Sequence, residues 1–131
     1  MEVFRNRTDT AKGPAERFTG DVYLDYKKLS SPTVNVQVGH VHFTPCARTA
    51  WHKHPFGQTL IVTDGVGWVQ NRGGEKVEIR PGDVVVTEPN EEHWHGASKG
   101  NFMSHYAINA ADTEGNSAYW GQHVTDEEYF G

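Results

Sequence analysis

The sequence predicts one all-β domain built as a sandwich or a barrel. Three observations support this: about eight short strand patterns separated by turn signals, a composition rich in glycine and aromatic residues, and the lack of a helical repeat. At 131 residues, the chain is long enough for one domain that buries more than half of its extended surface. We therefore predict a single domain over 1–131, with an N-terminal arm at 1–17, a core at about 18–110 and a tail at 111–131.

Charge and hydropathy argue against two classes of partner. The net charge is −5 at pH 7, and no basic stripe is present to neutralise phosphates, so we predict no nucleic-acid binding. The longest apolar runs, such as 84–86, are too short to cross a bilayer, and residues 1–7 lack the apolar core of a secretion signal. Cys46 is the single cysteine, which fits a reducing compartment. These features predict a cytoplasmic protein with no membrane partner.

The first third of the chain contains an arm and two strands. Residues 1–17 carry charges and turn signals with little periodicity, so we expect them to cross a neighbouring surface or another subunit. Residues 18–26 alternate loosely and predict the first strand, and 27–32 predict a loop. Residues 33–43 predict a long strand with alternating valines on one face.

His40 and His42 lie on the valine face of that strand and form a candidate metal pair. Packing explains them better, because nothing near them in the sequence completes a ligand set. The following turn contains Cys46, which we interpret as an incidental small residue because no base is evident beside it.

Turn signals separate the strands of the middle of the chain. Residues 59–63 are a β-branched strand that ends in Asp64-Gly65, a dipeptide typical of tight hairpin turns, and 66–70 return. A further turn at 71–74 precedes a half-exposed strand at 75–79.

The last third holds two strands and a short helix. A turn at 80–83 leads to a buried strand at 84–87, and a polar bend at 88–92 delivers His93. The last strand covers 102–108, with Met103, His105 and Ala107 on one face. In the tail, Thr125 and Glu128 have the spacing of a capping box, which predicts a short helical turn near the C-terminus.

The candidate chemistry is concentrated in residues 52–58, His-Lys-His-Pro-Phe-Gly-Gln. Residues two apart on a strand share a face and lie about 6.5 Å apart, so His52 and His54 can converge on one metal ion. Gln58 has the same parity and joins them if strand geometry resumes after Pro-Phe-Gly. A second His-x-His, formed by His93 and His95, follows downstream. Packing alone explains two such pairs poorly, and we predict a metal site.

Two motifs resemble those of the cupins. The first is His-x-His-x3-Gln-x6-Gly at 52–65, with Gln58 where cupins usually have Glu. The second contains Gly82, Pro89 and His93, although the proline is shifted by one position and Ala97 replaces the usual terminal Asn. The resemblance covers 34–108. It implies a single-domain cupin, a double-stranded β-helix or jelly-roll barrel, in which both motifs face the interior and share one metal.

Four segments look like those of the small bacterial manganese cupins with hydroxynitrile lyase activity. They are residues 47–52, 54–63, 93–97 and 123–127. The resemblance implies manganese(II) as the metal and places His95 and His105 in the pocket. Its implied ligands are His52, His54, Gln58 and His93. It also implies a carbon–carbon lyase that reversibly cleaves small 2-hydroxynitriles to a carbonyl compound and cyanide.

The residue types agree with this chemistry in outline. Three imidazoles and one amide are neutral and leave the ion its full dipositive charge, which makes a stronger Lewis acid than a site with a glutamate. Imidazole also suits other ions, so Fe2+, Ni2+ and Zn2+ stay open beside Mn2+. His105 is the predicted general base, with a pKa near neutral, and His95 is predicted to hold the nitrile or protonate the departing cyanide. The alternative for both is a structural role.

Several expectations rest on position or analogy alone. Arg48 and Thr49 are expected at the mouth of the pocket, and the four tryptophans in its wall and in interfaces. Small cupins associate through sheet faces and exchanged arms, so a homodimer or homotetramer is expected. Two other functions stay open: a metal-dependent cupin dioxygenase, and a non-catalytic cupin that binds a small molecule.

Overall fold

The computed structural model describes residues 1–5, 8–27 and 33–131. Within these ranges the chain forms thirteen strands and one short helix, which confirms the all-β prediction. The first seven strands are β1 Ala11–Lys12, β2 Phe18–Thr19, β3 Val22–Lys27, β4 Gln37–Phe43, β5 Arg48–Thr49, β6 His52–Lys53 and β7 Gln58–Gly65. The others are β8 Gly67–Asn71, β9 Val77–Ile79, β10 Val84–Thr87, β11 His93–Ala97, β12 Met103–Asn109 and β13 Tyr119–Trp120, followed by helix α1 Asp126–Phe130.

Two antiparallel sheets form the jelly-roll barrel. The first has the order β1-β3-β4-β12-β7-β10, and the second has the order β13-β6-β11-β5-β2, with β8 joined to β11 and β9 to β8. The inward-facing side chains of both sheets form the main hydrophobic core, which includes Val22, Phe43, Val62 and Met103. The candidate metal motifs lie on β6, β7 and β11, so both sheets contribute to the site.

The dipeptide Asp64-Gly65 predicted a tight hairpin turn, but no hairpin forms here. β7 continues through Gly65, and β8 lies in the other sheet, so the chain crosses between the sheets here. Gly65 has φ +76°, and an added Cβ would lie 1.7 Å from the carbonyl oxygen of Phe102. Glycine is needed here for both its dihedral angle and the close approach of the backbone.

Two strand predictions need correction. The strand predicted over 33–43 begins at Gln37, so its first four residues lie outside β4. The strand at 84–87 is present but not buried: Val84 and Val86 are 59% and 64% exposed. Among the described strands β10 is an edge strand that pairs with β7 alone, and a run of valines does not reveal which of its faces is covered.

Other local predictions are confirmed. The turn at 71–74 joins the β8–β9 hairpin, and Thr125 and Glu128 form the capping box of α1. Tyr129 on α1 is fully buried, and its hydroxyl donates to the Ala97 carbonyl over 2.6 Å. β3 extends through Lys27, and the rest of the loop predicted at 27–32 lies outside the described residues. The described part of the chain contains no helix long and apolar enough to span a bilayer.

Much of the N-terminal arm lies against its own barrel. β1 pairs with β3, and the Thr8 hydroxyl donates to the Tyr26 carbonyl over 2.7 Å. The backbone N–H of Gly13 donates to Val22 over 2.7 Å. Packing of the arm on another subunit stays a prediction, because contacts with its own barrel do not exclude contacts with a second chain.

Candidate metal centre

Strand pairing brings the two His-x-His motifs together. His52 on β6 lies opposite His93 on β11, and their rings are 4.3 Å apart between centroids. After His54, a tight turn ends at Gly57, whose φ is +75° and whose backbone packs against Thr87. Strand geometry then resumes, because Gln58 is the first residue of β7.

The four side chains predicted as ligands converge in the interior. The His54 ring lies 5.0 Å from the His52 ring and 5.4 Å from the His93 ring. Gln58 reaches the same point, with Oε1 3.3 Å from Nε2 of His93. Its Nε2 donates to Oδ1 of Asn109 over 3.1 Å, which turns the amide oxygen toward the histidines. The amide thus presents the atom that binds a cation.

Hydrogen bonds to the backbone set the tautomers of three imidazoles. Each Nδ1 lies 2.8 to 2.9 Å from a carbonyl oxygen. The pairs are His52–Ala50, His54–Ser117 and His93–Glu91. Because a carbonyl only accepts, each Nδ1 carries the hydrogen, and Nε2 has a lone pair. Metal-binding histidines are held this way, with one ring nitrogen anchored and the other directed at the ion. Nε2 of His54 is buried without a partner among the described residues, which fits a metal ligand.

His95 is a further candidate ligand, outside the ligand set that the resemblance implies. His52, His93 and His95 offer ring nitrogens that all lie within 4.8 Å of one another. Nε2 of His95 is buried and has no hydrogen-bond partner in the described part of the chain, while Nδ1 contacts Nε2 of His105 at 2.9 Å. These neutral nitrogen and oxygen donors fit a divalent ion. The ligands can be the predicted set or a set that includes His95 with His52 and His93.

Burial keeps these histidines neutral. It lowers the pKa of His54, lowers that of His93 to about 4, and places those of His52 and His95 well below 6.5. Neutral imidazole is the form that binds metal. Burial also lowers the pKa of His105 to about 3, below the near-neutral value expected of a general base.

A cavity of about 280 Å³ opens beside the centre. His52, His54, Gln58 and His95 line it, whereas His105 lies behind His95 and does not. Thr49 lines it as expected. Arg48 instead is buried, and it donates to the Val124 carbonyl over 2.8 Å and contacts Asp126 at 2.8 Å. The catalytic roles of His95 and His105 stay predictions.

Trp120 lines the cavity, as expected for a tryptophan of the pocket wall, whereas two other lining residues carried no sequence signal. Trp120 on β13 lies opposite His52 in the sheet and stacks on its ring at 4.6 Å and 23°. Asn109 and Arg17 also line the cavity, at opposite ends of the sequence. No local motif connects these positions to the histidines, because strand pairing alone brings them together.

His40 and His42 hydrogen-bond with their neighbours on the outer face of the first sheet. Nε2 of His40 lies 2.9 Å from the Thr63 hydroxyl, and the two ring nitrogens of His42 contact Ser104 at 2.8 Å and Asp25 at 2.9 Å. Among the described residues, the clustered ring nitrogens that could hold a metal belong to His52, His93 and His95.

Comparison with known proteins decides the family. The profile of the cupin domain family matches residues 39–113, more than half of the chain. The chain belongs to the cupin family. Over 130 residues this cupin is 50% identical to a protein of Granulicella tundricola named (R)-mandelonitrile lyase, and the match covers 98% of both chains.

Solved structures agree on the fold of this cupin. A cupin-like protein from Thermotoga maritima superposes with a TM-score of 0.84 at 40% identity, over 98% of this chain and 95% of that one. A cupin 2 conserved barrel domain protein from Rhodopseudomonas palustris superposes with a TM-score of 0.70 at 15% identity, over 92% and 79% of the two chains. At that identity the likeness concerns the fold alone.

Proposed function

We propose that this cupin is a metal-dependent carbon–carbon lyase of the hydroxynitrile lyase type, which reversibly cleaves small 2-hydroxynitriles to a carbonyl compound and cyanide. The observation that carries the proposal is a metal-ready histidine cluster beside a small cavity, in a chain 50% identical to a relative named (R)-mandelonitrile lyase. A cavity of about 280 Å³ suits a small substrate of this class.

The predicted ligands His52, His54, Gln58 and His93 would hold the ion, which we propose to be Mn2+, with Fe2+, Ni2+ and Zn2+ as alternatives. A bound divalent ion supplies Lewis acidity, which makes the substrate hydroxyl easier to deprotonate. The neutral donors leave the charge of the ion undiminished, and the low pKa values of the histidines keep those donors deprotonated at neutral pH.

His95 is placed to act on the substrate. Its Nε2 is buried at the cavity without a partner among the described residues, so it is available to take the hydroxyl proton. As the oxygen loses its proton, the O–H electron pair forms the C=O bond, the bond to the nitrile carbon breaks, and cyanide leaves with the electrons of that bond. The proton on His95 then passes to cyanide, which gives hydrogen cyanide and restores the neutral imidazole.

His105 is a positioning residue in this scheme, because it lies behind His95 and outside the cavity lining. Nδ1–H of His95 can donate to Nε2 of His105 over 2.9 Å. This tautomer directs the lone pair on Nε2 of His95 at the substrate, and it shares the charge that develops on His95. The proposal thus gives His95 both the base role that the sequence analysis assigned to His105 and its own predicted role of protonating the departing cyanide.

The test is release of benzaldehyde from mandelonitrile by protein loaded in turn with each of the four ions, with metal-free protein as the control. We expect turnover with Mn2+ and none without metal. Turnover with none of the ions would overturn the lyase assignment. Oxygen uptake by the iron-loaded protein would favour the dioxygenase, and tight ligand binding without turnover would favour the binding protein.

A further inference from the structure

The mouth of the cavity is cationic, although the chain as a whole carries a net charge of −5. Among the lining residues that the structure describes, Lys12 and Arg17 carry a formal charge, and none carries a carboxylate. A cavity lined by one sign of charge concentrates ligands of the opposite sign. The charge distribution around the cavity therefore favours an anion.

Arg17 is the stronger of the two anion binders. Its guanidinium lies 5.4 Å from the Trp120 ring centroid, and no carboxylate of the described residues forms an ion pair with it. Lys12, by contrast, pairs with Asp21 at 3.2 Å, and both side chains are about 60% exposed. Arginine also binds carboxylates through two parallel hydrogen bonds, which adds geometric selectivity.

The backbone of Arg17 is fixed on both sides. Its N–H donates to the Pro14 carbonyl over 3.0 Å, and its own carbonyl accepts from Ala50 over 2.8 Å. The base of the side chain is thus held relative to β6, which begins two residues after Ala50. A side chain whose backbone is fixed and whose guanidinium rests on an indole loses less freedom when it binds a ligand.

Trp120 connects Arg17 to the metal centre. The centroid of the Trp120 ring lies 4.6 Å from the centroid of the His52 ring and 5.4 Å from Cζ of Arg17. The guanidinium therefore lies within about 10 Å of the His52 ring. A small molecule with an aromatic ring can reach both groups at once, with its reacting carbon at the histidines and a second group at Arg17.

We propose that Arg17 anchors a carboxylate on the substrate, at the end of the molecule remote from the reacting carbon. The inference rests on the proposed lyase function and specifies its substrate class, namely aldehydes and their 2-hydroxynitriles that carry a carboxylate. Trp120 forms the wall on which the body of the substrate packs.

The test compares 4-formylbenzoate with its uncharged analogue 4-formylbenzamide in the addition of hydrogen cyanide by the metal-loaded protein. In this reaction the cyanide carbon bonds to the aldehyde carbon, and the carbonyl oxygen takes the proton. We expect kcat/KM to favour the carboxylate by about 10- to 100-fold, the range for a charged hydrogen-bonded pair. Arg17→Gln should remove most of the preference, and Arg17→Lys should keep part of it.

Arg80→Gln is the matched control, since Arg80 is exposed, pairs with Glu78 at 2.8 Å and does not line the cavity. It should retain the wild-type preference. Equal kcat/KM for the two aldehydes, or a preference that survives Arg17→Gln, would overturn the anion subsite.

A binding measurement separates this inference from the lyase assignment. Calorimetry with 4-(hydroxymethyl)benzoate and its amide requires no turnover, and the carboxylate should bind more tightly, with a difference that shrinks as salt is added. Selective binding without catalysis would preserve the subsite and reject the lyase. Catalysis with no preference for the carboxylate in rate or in binding would preserve the lyase assignment and reject the subsite.

Discussion

Nδ1 of His95 and Nε2 of His105 lie 2.9 Å apart, and the other ring nitrogen of each is buried without a hydrogen-bond partner among the described residues. One hydrogen therefore joins two imidazoles that are otherwise unsatisfied, and its position decides whether His95 presents a lone pair or an N–H to the cavity. A buried polar atom without a partner costs stability, so the open Nε2 of His95, which lines the cavity, is better explained by a ligand than by packing.

The first prediction separates the two sets of metal ligands. His52→Ala and His93→Ala should lower metal affinity by more than the roughly 10- to 100-fold lost when a supporting partner is removed. If the predicted ligand set is right, His54→Ala should also lower metal affinity by this amount, whereas His95→Ala should retain the ion. Elemental analysis after dialysis measures this, with His40→Ala on the outer sheet face as the control. If His54→Ala retained metal and His95→Ala lost it, the set with His95 would replace the predicted one.

The second prediction concerns the neutrality of the donor set. Gln58→Glu should retain the metal, because a carboxylate is also a ligand, but turnover of mandelonitrile should fall by about tenfold as the carboxylate offsets part of the charge. Metal content and kcat are measured on the same preparation. Unchanged or higher kcat at full metal occupancy would show that Lewis acidity does not limit the reaction.

The third prediction concerns the histidine pair. His95→Ala should lower kcat by about 10²- to 10⁴-fold, the usual contribution of a general base. His105→Ala should keep the metal and lower kcat less, while changing the pH profile of kcat, because the partner that orients His95 is lost. If His105→Ala abolished turnover and His95→Ala did not, the roles predicted from sequence would be restored. Full activity in both variants would reject the mechanism.

The fourth prediction is acid instability of the metal-free protein. Burial lowers the pKa of His93 to about 4 and that of His105 to about 3, below the unfolded value of 6.5. Below pH 6.5 the unfolded chain therefore binds more protons than the folded one, and stability is lost as pH falls toward these values. Each such group contributes at most about 1.4 kcal/mol per pH unit.

Urea unfolding midpoints at pH 7 and pH 5 measure this effect. His105→Gln should show a smaller loss between the two pH values than the wild type, and His123→Gln, at an exposed position, should behave as the wild type. A midpoint that did not change between pH 7 and pH 5 would contradict the prediction.

The fifth prediction concerns association. Residues 8–17 contact their own barrel, so a truncation at Phe18 would remove β1 as well as any contact between subunits. Deletion of residues 1–7 is the sharper test and should shift the expected homodimer or homotetramer toward smaller species in light scattering. An unchanged mass across the same concentration range would count against a role for the start of the arm.

The sequence by itself was sufficient for the fold class and for the histidine motifs. Strand periodicity places His52 with His54 and His93 with His95 on shared faces, and the motif spacing identifies the cupin family, which the family match confirms. Turn signals located most strand ends. They failed at Asp64-Gly65, because a dipeptide specifies a change of direction and not the sheet that receives the next strand.

Only the tertiary structure decided which distant side chains surround the histidines. Trp120 reaches His52 through the pairing of β13 with β6, and Arg17 reaches the cavity from the other end of the chain. The same holds for the low pKa of His105 and for its place behind His95. The burial of a side chain and its contacts depend on neighbours from strands that are far apart in sequence. A local pattern of residues does not contain that information.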